Sequence, residues 1–215
     1  MPADRIHLIR HGEVHNPGGV LYGRLPHFRL SDLGHEMAKS AASKVAETTS
    51  EQGRRVVKLL ASPLLRTQES AAPVASAFGL EVHTDERLIE PYNIFEGRKL
   101  SASHILIRPH LYYHLRNPQK PSWGEPYEVI AARMMSAIED AWNSVDSGDV
   151  VLVSHQLPIV MVQLTVAGKP LAHNPKQRRC SLSSITTLER QGDKFVEDSY
   201  VDTAANHTVI DRGAV

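Results

Sequence analysis

Ile6-His7-Leu8-Ile9-Arg10-His11-Gly12-Glu13 is the stretch that decides how this chain reads. A short strand-like run passes directly into a polar tetrapeptide. The same order recurs at Val150-Val151-Leu152-Val153, which ends in Ser154-His155. Brief apolar runs of this kind fit strands buried in the middle of a sheet. In open α/β sheets, ligand crevices lie beyond the carboxyl ends of the strands. Two histidines placed where two buried strands stop therefore point to two imidazoles converging on one sheet edge. An arginine directly before the first of them suits phosphate chemistry better than a core.

Working outward from these runs, helices and strands alternate. Ser31 is a good helix N-cap, and Leu33, Met37, Ala41 and Val45 recur at helical spacing up to about Thr48. Val56 to Ala61 reads as a second strand, and Pro63 would start a helix with Leu64, Thr67, Ala71 and Val74 inward. Glu81-Val82-His83 is a brief strand. A helix runs from Pro126 or Tyr127 through Met134, Ile138 and Trp142, and Pro158 to Ala167 is a second, closed by Gly168. Leu182 to Leu188 and Lys194 to Val201 form a hairpin around Gln191-Gly192-Asp193. The alternation predicts a three-layer α/β/α fold with a mostly parallel central sheet.

Two regions break the rhythm. Residues 91–125 carry Pro91, Pro109, Pro118 and Pro121 with Tyr92, Tyr112, Tyr113 and Trp123. They are expected to form a lid or insertion over the carboxyl edge of the sheet. The tail after about Val201 lacks periodicity and is expected to be loosely held. With no repeats or long linkers, residues 1–215 are expected to form a single domain.

Composition narrows the function classes. Hydrophobic residues make up 41% and charged residues 22% of the 215 positions, which fits a globular core and argues against disorder. Lys+Arg and Asp+Glu stand at 24 each, so bulk charge predicts neither nucleic-acid binding nor membrane attachment. Any anion site must be a local concentration of charge. No apolar stretch approaches a membrane span, and Met1-Pro2-Ala3-Asp4-Arg5 leaves no room for a signal peptide before the first strand. The single cysteine, Cys180, excludes an internal disulfide. A cytoplasmic location is the expectation.

Metal-free phosphoryl transfer needs a nucleophile, fixed cations for the phosphoryl oxygens and an acid for the leaving oxygen. Arginine is the better cation because its planar fork meets two oxygens at once. The candidates are His11, Arg10, Arg66 in Ala61-Ser62-Pro63-Leu64-Leu65-Arg66-Thr67, His155, and the carboxylates of Glu86-Arg87-Leu88-Ile89-Glu90. Each lies just past a predicted strand end, so a common site is geometrically sound.

These residues resemble the histidine phosphatase superfamily, also called phosphoglycerate-mutase-like, over nearly the whole chain. The resemblance runs through Leu8-Ile9-Arg10-His11-Gly12-Glu13, Tyr22-Gly23, Leu30-Ser31-Asp32-Leu33-Gly34, Ser62 to Thr67, Glu90 with Phe95-Glu96-Gly97, and Val153-Ser154-His155. It implies that His11 is the nucleophile that becomes phosphohistidine, that Arg10, Arg66 and a cationic His155 hold the phosphate, and that Glu90 is the general acid. It further implies phosphate contacts from Asn16 and from the backbone near Gly23, with no metal and no cofactor. Glu86 and Glu96 are the neighbouring carboxyls to which the acid role could shift.

The chain departs from the family pattern at several points. Gln156 stands where glycine usually follows the second histidine, and its side chain could narrow the substrate pocket. The loop after Glu13 is one residue shorter than in mutase-like members, and Pro126 replaces a common serine. Arg87-Leu88-Ile89-Glu90-Pro91 reads like the phosphatase branch, whereas a mutase would need a second cationic site, for which Arg98, Lys99, Arg108, Arg116 and Lys120 are candidates. The function implied is hydrolysis of a small phosphorylated metabolite, with a mutase or a silent phospho-ligand-binding member as alternatives. Family members are often dimers, so a second copy is a candidate partner.

Other features carry blander readings beside sharper ones. His110 and His114 have the spacing of a metal pair but no HExxH glutamate and no evident third ligand; they read better as lid histidines. Lys176, Arg178 and Arg179 form a basic cluster that reads as a solvated loop or as an aid to an anionic substrate. Cys180 reads as a buried strand residue rather than a nucleophile.

Overall fold

The computed structural model describes residues 2–99 and 124–204. Along the chain the elements are β1 (Arg5–Arg10), α1 (Asp32–Glu51), β2 (Val56–Ala61), α2 (Leu65–Phe78), β3 (Val82–Thr84), a 3-10 turn (Glu86–Leu88), α3 (Tyr127–Asn143), β4 (Asp149–Ser154), α4 (Gln156–Val166), a second 3-10 turn (Pro175–Gln177), β5 (Ile185–Gln191) and β6 (Lys194–Val201). Strands lie in the order β3-β2-β4-β1-β5-β6. The pairs β3–β2, β2–β4 and β4–β1 are parallel, and the hairpin β5–β6 adds two antiparallel strands beside β1.

Helices cover both faces. Ile6, Leu8, Val150 and Leu152 pack against α3 and α4, while Ile9, Val151 and Val153 pack against α1 and α2. Strand alternation explains the division, since successive side chains point to opposite faces. The Val150–Val153 run is fully enclosed on both sides, and each such side chain contributes about 1.5–3 kcal/mol by leaving water. This is the α/β/α arrangement expected from the apolar runs. Among the described residues no helix is long and apolar enough to cross a membrane.

Element boundaries differ in instructive ways. Helix α4 begins at Gln156 rather than Pro158, with His155 as its N-cap. A proline in the first turn is tolerated because its missing N–H would have had no partner within the helix. Strand β5 begins at Ile185, not Leu182, because Ser183 takes a left-handed φ of 56° and its N–H bonds the His11 carbonyl. Of the expected lid, residues 91–99 form a turn, and Asn93 bridges to Gly124; the partial helix expected around 101–115 lies outside the described residues. Of the tail expected to be loosely held, residues 205–215 lie outside the described residues, and its first residues are tied down. Thr203 Oγ1 donates to the Ser183 carbonyl, and Ala204 packs with Met37 and Leu182.

The turn after β1 lies flat on the first turn of α1. Ser31 caps that helix by accepting from the Gly34 N–H and donating to Glu13. Gly12 and Gly34 meet backbone to backbone: a Cβ on Gly34 would overlap the Glu13 carbonyl, and one on Gly12 would overlap the Gly34 carbonyl. Neither partner is a flexible side chain that could yield. Gly34→Ala is therefore expected to destabilise the protein by about 1–3 kcal/mol, seen as a fall in Tm of roughly 2–4 °C per kcal/mol. Gly18→Ala, whose Cβ would meet only the Val20 side chain at an ordinary 3.7 Å, serves as control and should stay within about 0.5 kcal/mol. Equal thermal stability of the two variants would contradict the close approach.

Candidate active site

Parallel pairing sets the site. Arg10 is paired with Ser154 in the β1–β4 register, so the next residues, His11 and His155, leave neighbouring strands at the same level. Their ring centroids are 5.2 Å apart. Ala61 ends β2 opposite Val153, which brings Ser62 beside His155, and Ser62 Oγ lies 2.8 Å from His155 Nε2. Arg66 projects from the first turn of α2. Glu90 comes after the 3-10 turn that succeeds β3, and this turn is tied to β4 by the Ser154 hydroxyl donating to the Leu88 carbonyl.

Both arginines are 1% exposed. Arg10 Nη1 donates to the Cys180 carbonyl and Arg66 Nη2 to the Gly23 carbonyl, each at 2.7 Å. The Tyr22 ring lies under the Arg66 guanidinium, 4.8 Å from its Cζ, a cation–π contact that helps to hold a desolvated cation. Carbonyl and ring contacts orient the Arg66 guanidinium without neutralising it. The Arg66 Nε finds no hydrogen-bond partner among the described residues.

The titratable groups are pushed toward neutrality. Burial, then Arg66 and Arg10, hold the His11 pKa well below its ordinary value. His11 Nδ1 lies 2.8 Å from the Gly12 carbonyl; a carbonyl only accepts, so Nδ1 carries the proton and Nε2 keeps a lone pair. The His155 pKa is lowered likewise by burial, Arg66, His11 and Arg10, which opposes the cationic form in the absence of a bound anion. Burial raises Glu90 to about 6 against the pull of Arg66, Arg10, Arg178 and Arg133. Glu90 Oε2 and His155 Nδ1 stand 3.9 Å apart, and burial disfavours the charged form of each. The site thus contains a neutral imidazole with a free lone pair, a second imidazole, two buried cations and a carboxylic acid that keeps its proton to about pH 6.

Of the remaining candidates, Gly23 serves through its backbone: its carbonyl anchors Arg66, and a Cβ there would strike the Glu96 carboxyl. Asn16 closes its own loop, its carboxamide donating to the Val20 carbonyl and accepting from the Val20 N–H. Gln156 donates to the Cys180 carbonyl and accepts from Arg178 Nη1. Glu86 is exposed, and Glu96 accepts from the Arg24 and Asn93 N–H groups, which leaves Glu90 as the carboxyl placed among the cations. His110 and His114 lie outside the described residues. Among the described residues no group of three His, Cys, Asp or Glu is arranged to hold a metal.

Several contributing residues escaped the motif reading. Glu125 bonds Arg133 through both carboxylate oxygens at 2.9 and 3.1 Å and also takes Arg24 at 3.1 Å. Arg24 Nε donates to the Glu90 carbonyl, and Arg133 donates to the Arg87 carbonyl. The two arginines thereby clasp the backbone that carries Glu90. Only the tertiary fold joins positions 24, 90, 125 and 133, so no spacing signal could have found them.

The raised Glu90 pKa also bears on stability. The native state holds this proton more tightly than the unfolded chain, so its stabilisation is complete below about pH 4.5 and is lost as pH rises through about 6. The difference amounts to about 2 kcal/mol. Glu90→Gln cannot ionise, so across that window its unfolding free energy in urea should gain about 2 kcal/mol on the wild type. The depressed histidines are common to both proteins and cancel in the comparison. A difference that stays flat between pH 4.5 and 7 would refute the shift.

Comparison with known proteins places the chain in a family. Residues 6–203 match the histidine phosphatase superfamily (branch 1). An uncharacterized protein of Mycobacterium tuberculosis, Rv0525, is 46% identical over 207 residues, covering 95% of this chain and 100% of that protein. A probable phosphoglycerate mutase GpmB of Erwinia tasmaniensis is 26% identical over 202 residues, covering 92% and 90%. Among solved structures, the mycobacterial glucosyl-3-phosphoglycerate phosphatase Rv2419c with VO3 superposes with a TM-score of 0.68 at 23% identity, covering 91% and 97%; it supports the fold. The chain belongs to the histidine phosphatase superfamily (branch 1), whose members are phosphatases or mutases.

Proposed function

We propose that the protein is a metal-independent phosphatase that hydrolyses a small phosphomonoester through a phosphohistidine on His11. The observation that carries this reading is the placement of His11, whose Nδ1 faces the Gly12 carbonyl and leaves Nε2 available, between two buried arginines and near Glu90, whose pKa burial raises to about 6. In the first half-reaction His11 Nε2 attacks phosphorus and the bond to the ester oxygen breaks. Arg10, Arg66 and His155 hold the phosphoryl oxygens as their charge shifts. Glu90 gives its proton to the leaving alcohol. In the second half-reaction the Glu90 carboxylate takes a proton from water, which attacks phosphorus and releases inorganic phosphate from His11. Binding of the phosphate dianion favours the imidazolium form of His155, because the added negative charge opposes the arginines that keep it neutral.

Resemblance to a probable phosphoglycerate mutase keeps transfer to a second hydroxyl as the alternative, and the two readings differ in product. Hydrolysis of phenyl phosphate by the wild type is expected to release inorganic phosphate at a rate insensitive to excess chelator. His11→Ala should abolish it. Rapid quenching should trap a phosphoenzyme that is labile to acid and stable to base. Arg66→Gln should cost about 10²–10³ in kcat/KM, the loss typical when one preorganised donor to a developing oxyanion is removed. Turnover that survives in His11→Ala would overturn the mechanism, and phosphate transfer to an acceptor without net release would favour the mutase.

A further inference from the structure

Ser62 follows the last residue of β2, and its backbone is held without help from its side chain. Its N–H donates to the Val153 carbonyl, and its carbonyl accepts from the Thr67 hydroxyl and the Gln68 carboxamide. The hydroxyl is therefore not needed to keep this turn in place. It is fully buried, its Oγ lies 2.8 Å from His155 Nε2, and among the described residues that nitrogen is its one hydrogen-bond partner. The two nitrogens of an imidazole lie on opposite edges of the ring. With Nε2 turned to Ser62, Nδ1 is turned to the Glu90 side of the site, 3.9 Å from Glu90 Oε2, too long for a hydrogen bond. Both atoms are buried, and neither has a hydrogen-bond partner among the described residues.

The charged and titratable groups facing this ring are Arg10, His11, Arg66, Arg133 and Glu90. The arginines oppose a positive charge on it, so a donor is needed that works in the neutral form. A neutral imidazole has one ring N–H, and the bond made by one nitrogen decides which of the two carries it. If Nε2 carried the proton, the Ser62 hydroxyl would accept, its own hydrogen would be buried without an acceptor, and Nδ1 would turn a lone pair toward an anion. If the hydroxyl donates to Nε2, its hydrogen is satisfied and Nδ1 carries the proton. We infer that Ser62 is a positioning residue that holds the proton of neutral His155 on Nδ1, so that this nitrogen donates to a phosphoryl oxygen without the ring first becoming cationic. His11 is the counterpart. The Gly12 carbonyl holds its proton on Nδ1 as well, but there the bonded edge is Nδ1 and the edge left for chemistry is the Nε2 lone pair. One tautomer thus makes a nucleophile of the first ring and a donor of the second. This rests on the phosphatase reading, in which His155 meets phosphoryl oxygens, and goes further by assigning what keeps it a donor.

Nitrogen-15 spectra of the histidine-labelled protein at about pH 8, above the ordinary histidine range, test it directly, with the His155 signals identified by their loss in His155→Gln. In the wild type, Nδ1 should be protonated and Nε2 should be an unprotonated acceptor. In Ser62→Ala the population should move toward the Nε2–H form, a change that loosened packing alone would not produce. A proton on Nε2 in the wild type, with or without one on Nδ1, overturns the inference, and so does an unchanged tautomer in Ser62→Ala. The wild-type spectrum decides the matter even if the variant fails to fold. Calorimetric affinity for inorganic phosphate at the same pH should fall about ten- to a hundredfold in Ser62→Ala, the loss expected for one hydrogen bond to a charged group; equal affinities overturn the role. Hydrolysis of phenyl phosphate, followed alongside, separates the two claims. If the wild type binds phosphate without turnover, the phosphatase reading falls, while the tautomer and the phosphate affinity still decide the part played by Ser62.

Discussion

The parallel pairing of β1 with β4 is the constraint on which the rest depends. Arg10 opposite Ser154 forces His11 and His155 out of the sheet at one level, and β2 is in step through Ala61 opposite Val153. Shifting a strand by one residue would turn each side chain to the other face, burying polar groups among the aliphatics of α1 and α3. The register is therefore set by the hydrophobic core, and the imidazole geometry comes with it. Stability and site placement share one cause: Val150 to Val153 must be enclosed, and that enclosure carries Ser154 and His155 to the sheet edge.

The site itself is electrostatically unfavourable in isolation. Two buried guanidiniums sit beside imidazoles that burial keeps neutral and a carboxyl that holds its proton to about pH 6. Removing charges from water costs several kcal/mol per ion. Elsewhere the chain meets such costs with carboxylates: Arg87 lies between Asp85 and Asp140, and Arg54 rests on the buried Asp149. In the site, Arg66 is steadied by the Gly23 carbonyl and the Tyr22 ring instead. Such contacts fix direction and leave the field in place, which is the condition under which a dianion gains most from entering a low-dielectric pocket.

How much of this is legible in the sequence depends on the range of the cause. The apolar runs of β1, β2 and β4 are local signals, and the strand-end placement of His11, His155 and Arg66 derives from them. Ser31 as a cap is likewise local. The start of α4 is misleading because Pro158 looks like a helix opener, whereas the helix opens two residues earlier at a histidine cap. Leu182 to Leu188 reads as one strand, but contacts of Ser183 and Ser184 with His11 and Arg10 bend its first three residues away. The loop-closing role of Asn16 depends on Val20 accepting and donating in return, a geometry that no spacing rule carries.

The least legible part is the support of Glu90. A carboxyl with a raised pKa is useful only if its oxygen stays within reach of the reacting centre, and Glu90 sits on irregular backbone between a short turn and the start of the 91–99 segment. Irregular backbone supplies few bonds of its own, so its position has to be imposed from outside. Arg24 and Arg133 do this by gripping main-chain carbonyls, and Glu125 sets the two arginines by accepting from both. In this clasp two arginines share one carboxylate, whereas Arg66 beside the imidazoles rests on the Gly23 carbonyl and the Tyr22 ring. Charge that holds backbone is anchored by a carboxylate, while the Arg66 charge that faces the pocket is oriented by a carbonyl and a ring. That division lets one small region place Arg66 toward the pocket and Arg24 and Arg133 on the backbone that carries Glu90.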